Sequence, residues 1–138
     1  MKIHIKRINE DFQMEAVNEE GNTIMMDGSP SIGGANLGMR PMQLLLAAIG
    51  GCSAIDVIHI LKKQRQVITS FAVEVDGMTE PVDEYSLYRK ITVLFRIKGN
   101  VDMKKAQKAA QLSFEKYCSV SKTLEHTAEI EFKVTVEP

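Results

Sequence analysis

The first part of the chain alternates apolar and polar positions over short runs. Ile3 and Ile5 alternate with charged residues, which is the period of a half-buried strand. A second alternating run starts at Phe12 and reaches the turn-forming residues 18–22 before another apolar run. The pattern predicts a short antiparallel meander. Residues 28–38, which are mostly small or helix-breaking, then predict a loop.

The next segment is apolar on nearly every side. Pro41 suits the first turn of a helix, and residues 42–65 place leucine, isoleucine and valine on more than one helical face. Such a helix must be buried on most sides. At 1.5 Å per residue it extends about 36 Å, more than a domain of this size easily encloses. We therefore expect a second subunit to cover part of it.

The remaining pattern predicts two strands, a helix and a last strand. Alternation from Ile68 and again from Tyr85 predicts two strands joined by the acidic loop 79–84. Asp102 is a suitable N-cap for a second helix that extends from Met103 to about Cys118, and residues 128–138 alternate as a final strand. The predicted order is strands, long helix, strands, helix and strand, and a chain of this length is expected to form a single domain, residues 1–138.

Composition narrows the function classes. The 138 residues carry a net charge of -1, which leaves no positive field for a phosphate backbone, so nucleic acid is not an expected partner. The uncharged run from Pro41 to Ile55 falls short of the roughly 20 residues that a membrane helix needs. The first residues lack the apolar run of a signal peptide. We expect a cytoplasmic protein without a membrane partner.

The two cysteines, Cys52 and Cys118, fit neither a disulfide framework nor a zinc site with CxxC spacing. Two interpretations stay open. In the first interpretation, both thiols are inert core residues. In the second, they form a redox pair in which a thiolate attacks a peroxide and the second thiol captures the sulfenic acid. Gly50 and Gly51 favour the second, because each costs a helix about 1 kcal/mol and permits a close approach beside the sulfur.

Two polar residues share a helical face with Cys52. Asp56 lies four residues on and His59 seven, which suggests a cysteine, histidine and aspartate triad. His59 is about 10 Å along the axis, beyond hydrogen-bond reach of the thiol. A carboxylate beside a thiol disfavours the thiolate. We interpret both residues as polar positions of a helix surface or an interface.

Methionines are frequent around the predicted loop and the start of the long helix. Met25, Met26, Met39 and Met42 all border this region. Core filling is the default explanation. A flexible apolar pocket for an organic substrate is the second.

Two segments resemble the cysteine motifs of the OsmC/Ohr superfamily, the osmotically inducible and organic hydroperoxide resistance proteins. They are "RPMQLLLAAIGGCSAIDVIHILKK" at 40–63 and "SFEKYCSVSKTLEHTAEI" at 113–130. The chain is most similar to the OsmC-like branch. The resemblance implies an intertwined α+β homodimer, with antiparallel sheets wrapped around long central helices.

The resemblance also implies an activity. It is that of a thiol peroxidase for organic hydroperoxides, with Cys52 attacking and Cys118 resolving. Dithiols, lipoylated proteins among them, would re-reduce the pair, and no metal or cofactor is implied. The alternative is a non-catalytic OsmC-like dimer that binds a hydrophobic small molecule near the methionines.

One departure from the family pattern concerns thiol activation. Peroxidase members carry a glutamate ten residues before the first cysteine, where it orients an arginine over the thiolate, but this chain has Met42 there with Gln43 beside it. Arg7 and Arg40 are candidate arginines, since a guanidinium stabilises a thiolate and binds a peroxide oxygen. Arg40, Met42 and Gln43 are therefore the predicted substrate-binding residues, and weak peroxidase activity is expected.

Overall fold

The computed structural model describes residues 1–138 and contains two compact units, Met1–Leu45 and Leu46–Pro138. In the first unit, β1 (Ile3–Arg7), β2 (Met14–Asn18) and β3 (Thr23–Met26) form an antiparallel sheet in the order β1-β2-β3. This is the predicted meander. The loop that follows contains one 3-10 turn, Pro30–Ile32, and is otherwise irregular, as predicted.

A buried carboxylate organises this loop. Asp27 accepts hydrogen bonds from the backbone N–H groups of Gly28 (2.7 Å), Leu37 (3.0 Å) and Ala35 (3.2 Å). The bond from Leu37, the bonds from Gly28 and Ala35 and the charge of Arg40 lower the pKa of Asp27, against the opposing effect of burial. Sequence patterns did not identify this residue.

The long helix, α1, spans Pro41–Lys63, within two residues of the predicted bounds. Its buried positions in the second unit form one stripe, in which four residues are spaced four apart and Gly50 lies beside the first. That stripe faces a core of strand and helix side chains, as expected for the apolar side of a helix on a sheet. The stripe consists of Ile49, Gly50, Ser53, Val57 and Leu61.

The two glycines of α1 have different environments. A Cβ added at Gly50 would lie 2.7 Å from Cγ2 of Val75 on the neighbouring strand, whereas one at Gly51 would meet nothing within 4 Å. Gly50 therefore allows the close approach of strand side chains, those of Val75 and Val73. Gly51 stays open on the exposed side.

The other sides of α1 are not buried within the chain. Ile55 is 70% exposed, and Met42 and Leu45 are also exposed. The sequence analysis expected a single chain to leave such sides uncovered, and their burial by a second subunit stays a prediction. The sequence analysis counted only the uncharged run to Ile55 and judged it too short for a membrane helix, but the whole of α1 is long and apolar enough to cross a membrane. Core helices of globular proteins meet the same criterion.

Two long strands follow α1. β4 (Val67–Val82) and β5 (Tyr85–Asn100) pair in antiparallel register. A two-residue turn joins them, with Asp83 at φ 54°, which is the left-handed conformation that such tight hairpins require. The predicted acidic loop 79–84 is thus too long, since Thr79 to Val82 still pair with β5.

The last strand, β6 (Glu129–Glu137), pairs with β5 in parallel, with Lys90 opposite Glu129. The expectation of entirely antiparallel sheets is wrong for this strand. The chain between β5 and β6 contains helices that carry it back to the end of the sheet where β5 begins, which is what a parallel pair requires.

The second predicted helix is interrupted. α2 covers Met103–Leu112, and Asp102 caps it as predicted by accepting from the backbone N–H of Lys105 at 2.9 Å. A π-helical turn, Ser113–Tyr117, comes next, and a short helix, α3, covers Ser119–Leu124. The predicted end near Cys118 therefore falls at the junction between the π turn and α3.

Candidate active site

The two cysteines lie together in the second unit. Cys52 is half-buried on α1, and Cys118 is fully buried between the π turn and α3. The two Sγ atoms and a carboxylate oxygen of Asp56 all lie within 4.8 Å of one another. The resemblance placed the thiols near each other, and the structure agrees.

The π turn orients the second side of the site. The backbone N–H of Cys118 donates to the carbonyl of Ser113 at 2.8 Å, a bond across five residues that characterises π geometry. Cys118 thus lies one wide turn beyond Ser113. The hydroxyl of Ser113 donates to Oδ2 of Asp56 at 2.9 Å, and the Cys118 sulfur lies near Cys52.

Asp56 is a site residue that the sequence interpretation missed. Its four-residue spacing from Cys52 places both side chains on one face of α1. Its partner Ser113 is 57 residues away, so no local pattern pointed to the contact. The interpretation of Asp56 as a polar position of a helix surface or an interface did not include these contacts: Asp56 is half-buried, lies near both thiols and accepts from Ser113 of the π turn.

The environment of Cys118 favours the neutral thiol. Burial raises the pKa of Cys118, the hydrogen bonds from Ser121 oppose this increase, and the nearby Cys52 thiol raises it further. The Ser121 N–H donates to Sγ at 3.3 Å, and its hydroxyl donates to the Cys118 carbonyl at 2.9 Å. Cys118 is therefore a protonated thiol at neutral pH, and the Ser121 N–H fixes its sulfur.

A groove begins at Asp56 and extends along the last two turns of α1. It has a volume of about 620 Å³. His59 lies in its wall, so this histidine lines a cavity beside the thiols without belonging to a triad. The full lining is Asp56, His59, Ile60, Lys63, Gln64, Leu112 and Tyr117.

The predicted substrate-binding residues belong to the first unit. Arg40 donates from its guanidinium to the Gly38 carbonyl (2.9 Å) and to Oδ1 of Asn36 (3.0 Å). Oε1 of Gln43 accepts from the backbone N–H of Arg40 at 2.9 Å, and Met42 lies in the first turn of α1. These contacts order the start of the helix. Their role in binding a substrate stays a prediction.

The other candidate arginine and the four methionines near the loop, Met25, Met26, Met39 and Met42, also lie in the first unit. Arg7 donates to the Asn9 carbonyl at 2.9 Å. No methionine contributes to the groove at Asp56. A methionine-lined pocket therefore stays a prediction.

Comparison with known proteins gives one family. The family model described as OsmC-like protein matches residues 33–133. Protein YhfA of Escherichia coli is 38% identical over 112 residues, which cover 80% of this chain and 79% of YhfA. The family match therefore includes both cysteines and the segments that position them.

Solved structures agree on the fold. A hypothetical protein from Aquifex aeolicus is 29% identical with a TM-score of 0.80, covering 99% of this chain and 97% of its own. An organic hydroperoxide resistance protein OsmC from Legionella pneumophila has a TM-score of 0.72 at 14% identity, covering 98% and 97%. At that identity the second similarity shows the α+β fold alone.

Proposed function

Because this chain belongs to the OsmC-like protein family, we propose that it is a thiol peroxidase for organic hydroperoxides, with Cys52 attacking and Cys118 resolving. The observation that carries the proposal is the placement of both sulfurs within 4.8 Å of each other and of a carboxylate. Cys52 is the more accessible thiol, so it is the one that a peroxide reaches first.

The reaction has two chemical steps. The Cys52 thiolate attacks one peroxide oxygen, the O–O bond breaks, and the alkoxide takes a proton to leave as an alcohol, which leaves a sulfenic acid on Cys52. The Cys118 sulfur then attacks the sulfenic sulfur, the S–S bond forms, and hydroxide leaves with a proton as water. An external dithiol reduces the disulfide and completes the cycle.

Asp56 supplies what a buried resolving thiol needs. Burial keeps the proton on Cys118, yet the thiolate is the attacking form. The Asp56 carboxylate, held by the Ser113 hydroxyl, is near enough to take that proton as Cys118 attacks and to return it to the departing hydroxide. In this proposal Asp56 does proton transfer in a chain that lacks the family glutamate.

A second subunit completes the proposed molecule. The exposed apolar side chains of α1, Ile55 and Leu45 among them, support a homodimer in which these faces are covered. Light scattering tests this directly. A monomer at all concentrations, or an unchanged dimer in Ile55→Asp, would contradict it.

The enzymatic test uses cumene hydroperoxide and a dithiol reductant. With the dithiol, wild type should consume peroxide and Cys52→Ser should be inactive. Without the dithiol, Cys118→Ser should consume one equivalent of peroxide and keep a sulfenic acid that dimedone traps, whereas wild type should form the disulfide. Ser113→Ala and Asp56→Asn should slow disulfide formation but not the first attack. Equal peroxide consumption by wild type and Cys52→Ser would end the proposal.

A binding function is the second candidate, and the groove beside the thiols is the observation that favours it. Its walls combine apolar Ile60 and Leu112 with the cationic Lys63, which suits an amphipathic small molecule. Native mass spectrometry of protein purified without added ligand would show a bound mass. An empty protein, together with peroxide turnover, would favour the enzyme.

A further inference from the structure

The three atoms that meet at the candidate active site are also a set of metal ligands. Cys52 and Cys118 offer sulfur atoms that release their protons when a metal binds, Asp56 offers a carboxylate oxygen, and all three atoms lie within 4.8 Å of one another. We propose that the reduced site binds one zinc-class divalent cation through these three side chains. This goes beyond the proposed peroxidase reaction and does not depend on it.

The spacing of the ligands fits a small tetrahedral site. Zinc lies about 2.3 Å from sulfur and about 2.0–2.2 Å from a carboxylate oxygen, so neighbouring ligand atoms in a tetrahedron are roughly 3.5–3.8 Å apart. The ligand atoms are at most 4.8 Å apart. Side-chain rotation must therefore bring them closer by no more than about 1 Å to reach the tetrahedral separation. Cys52 and Asp56 also have the one-turn helical spacing by which two ligands of a helix reach one ion.

The ligands have supporting hydrogen bonds of the kind that metal sites use. The Ser113 hydroxyl donates to Oδ2 of Asp56 at 2.9 Å, and the Ser121 N–H donates to Sγ of Cys118 at 3.3 Å. Such outer partners fix the orientation of the ligands and stabilise their charge. Two of the three ligands are thus oriented before an ion binds.

The chemistry of the set selects the ion. Two thiolates and one carboxylate favour zinc over magnesium or calcium, which take oxygen ligands. The groove that begins at Asp56 provides a path for the ion and room for a water as fourth ligand. The sequence did not predict the site, because its ligands come from separate elements and show no CxxC spacing.

The test is a metal titration of the reduced chain, with free thiols counted before each run. Added Co²⁺ should give a sulfur-to-cobalt charge-transfer band that saturates at one ion per chain and that Zn²⁺ removes. Competition with a chromophoric chelator should give a zinc affinity that falls about 10- to 100-fold in Ser113→Ala, and by at least as much in Asp56→Asn. Asp76→Asn, an exposed carboxylate on β4, should leave the affinity unchanged.

Three results would refute the metal site. No charge-transfer band in reduced wild type would refute it, and so would binding that survives in the Cys52→Ser, Cys118→Ser double variant. An equal loss of zinc affinity in Asp56→Asn and Asp76→Asn would show that the ion responds to general negative charge and not to this site, which would also refute the proposal. Since the readout is a bound ion and not peroxide consumption, this inference and the proposed enzyme can fail separately.

Discussion

The two adjacent glycines of α1 allow a sharp test of how the helix packs. Both should gain helix propensity on replacement by alanine, by about 1 kcal/mol. At Gly50 the new methyl would lie 2.7 Å from Cγ2 of Val75. Valine in a strand has a stiff χ1, so either the helix or the strand must shift.

The magnitude follows from comparing the two variants. Overpacking in a filled core costs about 1–3 kcal/mol, and the propensity gain is common to both positions. Gly50→Ala should therefore be less stable than Gly51→Ala by about 1–3 kcal/mol. Relative to wild type, Gly51→Ala should be stabilised by up to about 1 kcal/mol.

Urea unfolding at one protein concentration measures the effect, with the midpoint compared at constant m. The Val75→Ala background supplies the control, since it removes the methyl that Gly50→Ala would contact. In that background the cost of Gly50→Ala should fall by more than about 0.5 kcal/mol. The reasoning is refuted if Gly50→Ala is as stable as Gly51→Ala. It is also refuted if Gly50→Ala costs the same free energy of unfolding in wild type and in the Val75→Ala background.

Two further predictions concern carboxylates that bond backbone N–H groups. Asp102→Ala should lose the cap of α2 and about 1 kcal/mol in urea unfolding, whereas Asp102→Asn should retain most of it; equal losses would contradict the cap. The pKa of Asp27 is lowered below its ordinary 3.8, so its stabilisation is present above that pH and is lost as pH falls through the folded pKa. The melting temperature of wild type should therefore fall more steeply with acid than that of Asp27→Asn, and parallel curves would contradict this.

Local signals predicted the elements whose cause is local. The apolar pattern of residues 42–65 predicted α1. Asp102, followed by a helical pattern, predicted the start of α2. The break after Leu112 had no such signal, because a π turn is stabilised by what its residues contact, here Ser113 with Asp56. Helix periodicity continues through that segment unchanged.

The site was predictable only in part, for a related reason. The resemblance brought Cys52 and Cys118 together, but Asp56 was judged only against its neighbours on α1. Asp27 was missed although a signal existed. An aspartate that directly follows a strand and precedes a loop of small residues is well placed to accept their unpaired N–H groups.

The parallel pairing of β5 and β6 places the helical segment that carries Cys118 between two strands that must both be made before they pair. β4 and β5 are adjacent in sequence and form a hairpin. Lys90 of β5 can pair with Glu129 of β6 only after the intervening helices have been synthesised. Contacts so distant in sequence form late and slowly. Cys118 is buried in the finished fold, whereas Cys52 stays half-buried, so the accessibility of Cys118 changes most when the sheet closes. Protection of Cys118 from alkylation is thus a marker of completed folding.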